Sequence, residues 1–171
     1  MRALQLLSLM AATAAAVATP NAVAQAGRGG ARNTPSSLVV TAQNVTALAA
    51  GRANPGMAQP GDEIRYRLVF TNVTAGPVKN IHFVDPIPAG MLFVAGSASS
   101  DNRVRAEYSI DGGRTYAAQP LIQVVEDGKQ LQKPAPAEQY THVRWTVVGA
   151  LARGAQVAVE FRGRVKATPA R

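Results

Sequence analysis

Cysteine is absent from the chain, so disulfide frameworks, thiolate zinc sites, iron–sulfur clusters and cysteine nucleophiles are excluded together. The same absence removes the acylated cysteine that a lipoprotein anchor requires. Histidine is scarce, at two residues, which leaves little material for an imidazole metal site or catalytic base. Acidic residues are also few: 10 Asp and Glu stand against 18 Lys and Arg, a formal charge of +8. Beyond the N-terminus no stretch approaches the roughly 20 apolar residues that a membrane-spanning helix needs. What is present is 171 residues, 47% of them apolar and 16% charged, enough for one globular domain with its own core.

The N-terminus reads as a targeting segment. Met1 and Arg2 precede an uncharged, Leu- and Ala-rich run over residues 3–18, then Pro20, and Ala22 and Ala24 flank Val23 as an A-x-A site. This order is that of a secretory signal peptide over residues 1–24, with a mature chain beginning at Gln25 and export to the periplasm or the exterior. Residues 25–37, built of Ala, Gly and Arg around Pro35, have neither a period of 3.6 nor of 2 and read as a flexible leader. The expected domain occupies residues 38–168.

From residue 38 onward, short β-type runs are separated by Gly, Pro, Asn and Asp clusters, and no window offers a sustained helical stripe. In the clearest run Ile64, Tyr66, Leu68 and Phe70 alternate with Glu63, Arg65, Arg67, Val69 and Thr71. One apolar and one mainly polar face predict a half-buried strand of an antiparallel sheet. The last run repeats the arrangement, with Val157, Val159, Phe161 and Val165 opposite Glu160, Arg162, Arg164 and Lys166. Val143, Trp145 and Val147 alternate with Arg144 and Thr146, which makes Trp145 the expected central core residue. Runs at 38–43, 81–84, 91–94, 104–110 and 121–125 bring the total to about seven or eight strands, spaced as in a β-sandwich. Residues 47–60, with Gly51, Pro55, Gly56 and Pro60, read as a loop.

The turns have their own chemistry. Gly61 and Gly90 can take positive φ where the chain reverses, and Asp62, Asn72 and Asp85 can bond backbone N–H groups two residues on. Pro86 and Pro88 deny donors to a ladder, so a strand must end near Asp85. A calcium loop concentrates several acidic ligands, and Asp85 has none within its own turn. Residues 109–116, Ser-Ile-Asp-Gly-Gly-Arg-Thr-Tyr, fit the Asp-box pattern S-x-D-x-G-x-T-aromatic. There Asp111 and Thr115 can bond backbone across the Gly112-Gly113 reversal, a structural role. One copy builds no propeller, and no paired catalytic carboxylates can be nominated.

Residues 60–97, PGDEIRYRLVFTNVTAGPVKNIHFVDPIPAGMLFVAGS, resemble the repeat of bacterial envelope proteins called domain of unknown function eleven. The resemblance lies in a Pro-Gly-Asp entry, a Tyr-containing strand, a Thr-Asn turn, an apolar strand ending in Asp, a Pro-x-Gly turn and a Phe-Val strand. Residues 143–161, VRWTVVGALARGAQVAVEF, are similar to that family's closing section, with Trp145 at its strand tryptophan. Arg153 before Gly154 departs from a frequent Pro, and a single copy departs from the tandem arrays of many relatives. The resemblance implies an immunoglobulin-like antiparallel β-sandwich and no established activity.

No enzyme site and no cofactor are expected. His82 and His142 sit in strand patterns, outside any Gly-x-Ser-x-Gly elbow or H-E-x-x-H helix. The expected role is a secreted structural or interaction module of the cell envelope. Two alternatives stand beside it: a subunit that self-assembles by strand addition, and a weak binder of anionic envelope polymers. The outward residues Arg65, Arg67, Arg162, Arg164 and Lys166 form a candidate polyanion face if their strands share a sheet. Sequence-specific nucleic-acid binding is not implied, because no aromatics interleave the basic residues to stack on bases. The partner on such a face is an anionic polymer or another envelope protein.

Overall fold

The computed structural model describes residues 37–101 and 103–167; the expected signal peptide, nearly all of the expected leader and residue 168 lie outside the described residues. Twelve strands, all paired antiparallel, are found among the described residues. The first sheet is built on β2 (Glu63–Thr71) and β12 (Gln156–Val165), which pair along nine residues from Glu63↔Arg164 to Thr71↔Gln156. On the outer side of β2 lies β1 (Ser37–Asn44), and on the far side of β12 lie the short strands β5 (Met91–Phe93) and β6 (Ser99–Ser100). The second sheet places β10 (His142–Val147) between β4 (His82–Pro86) and β7 (Val104–Ser109).

The two sheets share one core. Inward residues of β2 and β12 (Leu68, Val157, Val159, Phe161) join Phe83, Val143, Trp145 and Val147 from the second sheet in a single buried cluster. Trp145 and Phe161 are fully buried, with ring centroids 6.1 Å apart, and Phe70 meets Phe83 at 5.9 Å. Tyr66 stacks on Phe161 at 5.0 Å, which extends the aromatic layer toward a smaller cluster of Ala58, Ile64, Met91 and Val165. Alternation along each strand therefore segregates apolar side chains into the space between sheets, the term that dominates folding free energy.

The strand count exceeds the sequence expectation because four short or polar strands escape a hydrophobic pattern. β3 (Val78–Lys79), β6 and β11 (Ala150–Leu151) are two residues long. The fourth is β9 (Lys129–Pro134), which pairs with the expected run at 121–125, β8 (Leu121–Glu126), in a two-stranded hairpin of their own. Its turn is Asp127-Gly128, both at positive φ (51° and 73°), as a two-residue hairpin connection favours. β9 was hidden because Lys-Gln-Leu-Gln-Lys carries no β-branched or aromatic residue.

The loop expected at 47–60 is also corrected at its start, where α1 (Val45–Ala49) makes one short helical turn. Asn44 caps it: Oδ1 accepts the Ala47 N–H at 2.8 Å, meeting one of the donors a helix start leaves open. Asn44 Nδ2 donates to Asp62 Oδ2 at 2.8 Å, which ties the helix to the entry of β2.

Candidate functional site

The adjacency of β2 and β12 puts the five basic residues on one sheet face. Ladder register sets Arg162 beside Arg65, Glu160 beside Arg67 and Arg164 beside Glu63. The face is thus a mixed field. Arg67 Nη1 donates to Glu160 Oε2 at 3.1 Å, while Arg162 and Arg164 donate to the two oxygens of Glu63 at 3.4 and 2.8 Å. The Arg164 hydrogen bond leads the causes that hold the Glu63 carboxyl below its ordinary range; desolvation opposes it, and Arg162 adds a weaker pull in the same direction as Arg164. Arg65 donates to the neutral Gln43 side chain, and Lys166 Nζ donates to Ala89 O at 3.1 Å. Five cations against two carboxylates leave an excess of three positive charges. The period-2 alternation that sets the cations on this face sets Glu63 and Glu160 there too, and the two carboxylates divide the stripe expected from the cations alone.

The outer face of the second sheet is covered differently. From β7 the chain turns through the Asp-box segment, where Asp111 Oδ1 accepts N–H groups of Arg114 and Thr115 at 3.0 Å each and Oδ2 accepts Thr115 Oγ1 at 2.7 Å. These donors, Thr115 first, hold the Asp111 carboxyl well below its ordinary range. The buried Ser109 Oγ donates to Asp111 and accepts from Gly113 N at 2.9 Å. Gly113 (φ 85°) fits because a Cβ there would stand 3.1 Å from Tyr116 Oη and close to the His142 ring. Tyr116 in turn lies under the Arg144 guanidinium, 4.2 Å from its centroid, and Arg144 also holds Glu107 at 2.9 Å. Burial lowers the His142 pKa, and Asp111 opposes that shift. The Ser109, Asp111 and Thr115 side chains of this motif are all spent on holding the turn.

Three further sequence-nominated residues are buried or half-buried polar side chains. Asp62, 3% exposed, accepts two N–H groups from Arg52, one from Asn44 and the Gln59 backbone N–H at 2.8 Å. The Arg52 pair leads the causes that bring its carboxyl down to about 2. The expected bond to a backbone N–H two residues on is not made; the carboxylate is saturated by a guanidinium and groups that precede it. Asn72 does make that bond, to Thr74 N at 3.0 Å, and donates to Gly76 O and Leu151 O at 2.9 Å. Asp85 makes no such bond either: Ile87 N donates to Thr141 O instead, and Asp85 Oδ2 is buried with no hydrogen-bond partner. Burial pushes its carboxyl up to about 6.

At the turns, Gly61 adopts φ 88° and its N–H reaches Val165 O at 2.9 Å. Gly90 stays outside the left-handed region: it is the third residue of the turn closed by Met91 N donating to Pro88 O at 2.8 Å, a position that a type I turn fills without positive φ. Among the described residues no three His, Asp or Glu converge to hold a metal ion, and no helix is long and apolar enough to cross a membrane. Two surface depressions, one lined by Arg52, Ala53, Asn54, Met57, Ala58 and Gln59 and the other beside Phe93 and Arg164, are shallow and open. The chain matches no family model, and no curated protein matches it.

Proposed function

We propose that the chain is an exported, non-enzymatic interaction module working at or outside a bacterial cell envelope, with an immunoglobulin-like sandwich of the type implied by its resemblance to domain of unknown function eleven. The observation that carries this reading is where exposed apolar surface collects. Leu38, Val39 and Val40 on β1, and Leu121, Val125 and Leu131 on the β8–β9 hairpin, are each more than 40% exposed. The other exposed large apolar residues, Leu48, Met57, Val73, Val84 and Val148, stand singly along the chain. Those of β1 are consecutive and those of the hairpin share one small sheet, and such groupings mark a surface for a partner. The hairpin adds support: β9 is exposed along its whole length, and two strands alone are marginal in water. Export follows from the charge, apolar run and A-x-A order of residues 1–24.

Expression in a bacterial host should therefore deliver the protein outside the cytoplasm with Gln25, or its cyclised form, at the N-terminus by intact-mass analysis. A full-length mass in the cytosolic fraction would contradict export.

The excess positive charge on the β2–β12 face favours a second reading, weak and sequence-blind binding to an anionic polymer by counterion release. Arg65 and Lys166 carry two of the three excess charges, since their partners are neutral, and the third arises where Arg162 and Arg164 share Glu63. The exported protein should be retained on heparin at low salt and released near physiological salt. Arg65→Gln with Lys166→Gln should lower the salt slope by about two while leaving the Glu63 and Glu160 pairs in place. Equal retention of the double variant would reduce the face to a solvated surface.

A further inference from the structure

Edge strands expose unpaired backbone groups, and most edges here carry a device against pairing. β4 ends in Asp85-Pro86, β7 carries Arg105 and Glu107, β8 ends in Glu126, β9 holds Lys129, Lys133 and Pro134, and β5 and β6 are three and two residues long. β1 has none of these. Its eight residues, Ser-Leu-Val-Val-Thr-Ala-Gln-Asn, include no charge, Pro or Gly, and 38–43 are exposed throughout.

The direction of its free groups follows from the neighbouring ladder. Val165 N donates to Asp62 O at 2.8 Å and Asn72 N donates to Ala155 O at 2.9 Å. Even-numbered residues of β2 therefore turn their backbone to β12 and odd-numbered ones turn it to β1, as antiparallel pairing alternates. The β1 register sets odd against odd, Val39↔Val69, Thr41↔Arg67 and Gln43↔Arg65. Leu38, Val40 and Ala42 are left aiming N–H and C=O away from the sheet.

We propose that β1 pairs with β1 of a second copy, antiparallel about a two-fold axis through Val40, joining the two first sheets into one. This names the partner of the interaction module proposed above and rests on that reading. In this register Val40 meets its own copy and Leu38 meets Ala42, so every free group named above faces another and about six backbone hydrogen bonds close. On one face Leu38, Val40 and Ala42 of both copies form a continuous apolar band. Like meets like without penalty because the strand is uncharged. The nearest cations, on β2, are about 14 Å from their copies, three strand spacings, beyond the Debye length of about 8 Å at physiological salt.

The chain's own leader is a poor competitor. Residues 25–36 hold Gly27, Gly29, Gly30 and Pro35 and no Val, Ile or aromatic residue, a composition that disfavours a strand.

The test is sedimentation velocity of the exported protein over a wide concentration range, with amide hydrogen exchange at both ends of it. A monomer–dimer equilibrium that persists in high salt is expected. Amides of Leu38, Val40 and Ala42 should exchange fast when dilute and slow when concentrated, while Val39 and Thr41 stay slow throughout. Val40→Pro removes an outward N–H and no ladder bond to β2, so it should give a monomer with a native circular-dichroism spectrum. Should that variant misfold, Val40→Lys sets two charges together on the axis and should also be monomeric. A wild type that is monomeric at every concentration, whatever else its edge captures, overturns the proposal, as does a folded Val40 variant that dimerises like the wild type. Export is read separately, from the N-terminal mass, so either idea can fail alone.

Discussion

Trp145→Ala should cost the domain about 3–5 kcal/mol in a denaturant titration, a large share of the stability expected of a chain this size. Trp145 is fully buried at the middle of β10, the central strand of its sheet, with Phe83 and Ala106 opposite it on the two neighbours. Across the core it faces Phe161, so truncation opens a cavity between the sheets that neither backbone can close. Trp145→Phe should cost clearly less. The indole Nε1 is buried without a partner, and Phe removes that unpaired donor while keeping most of the ring volume. A loss below about 1 kcal/mol for the Ala variant would place the cavity somewhere it can collapse. Equal losses for Phe and Ala would mean that the indole N–H has a partner on which the fold depends.

The elements legible in the sequence are those whose burial is set by their own alternation. β2 buries Ile64 and Leu68, β10 buries Val143, Trp145 and Val147, and in β12 Val157, Val159, Phe161 and Val165 are all 6% exposed or less, with Ala158 the one buried residue of the other parity. What local pattern does not encode is which strands are neighbours. The pairing of β2 with β12, residues 63–71 with 156–164, is a contact between distant parts of the chain, and it alone turns five arginines and lysines into a face divided by Glu63 and Glu160. The same is true of β1. Its run was visible at 38–43, but its status as an edge, and the outward aim of Val40, follow only from register. The local pattern at Asp62 predicts a turn bond, and the carboxylate is instead clamped by Arg52, ten residues earlier, a side-chain reach no spacing rule predicts.

The buried carboxylate at the end of β4 makes stability depend on pH in the opposite sense to the paired ones. Burial raises Asp85 from 3.8 to about 6, so the folded chain holds this proton more tightly than the unfolded one. Its favourable contribution is complete below pH 3.8 and is lost as pH rises through about 6. Two units correspond to about 3 kcal/mol. Asp62, lowered to about 2, acts in a different window: its contribution is present above pH 3.8 and is lost as pH falls toward 2. His142, whose pKa is lowered, contributes stability that is present above pH 6.5 and is lost as pH falls below it, and so partly masks Asp85 in the wild-type curve. Comparing wild type with Asp85→Asn isolates the one group, because Asn keeps the shape and cannot ionise. The variant should be the more stable protein at neutral pH, with the difference shrinking to nothing as pH falls to 3.8. The Tyr66 phenol supplies a second readout. Its own burial, and then the Asp85 charge, push it up to about 12, so the same substitution should lower its titration. Parallel stability curves and an unmoved Tyr66 would mean that water reaches the Asp85 carboxylate and that its apparent burial carries no energetic cost.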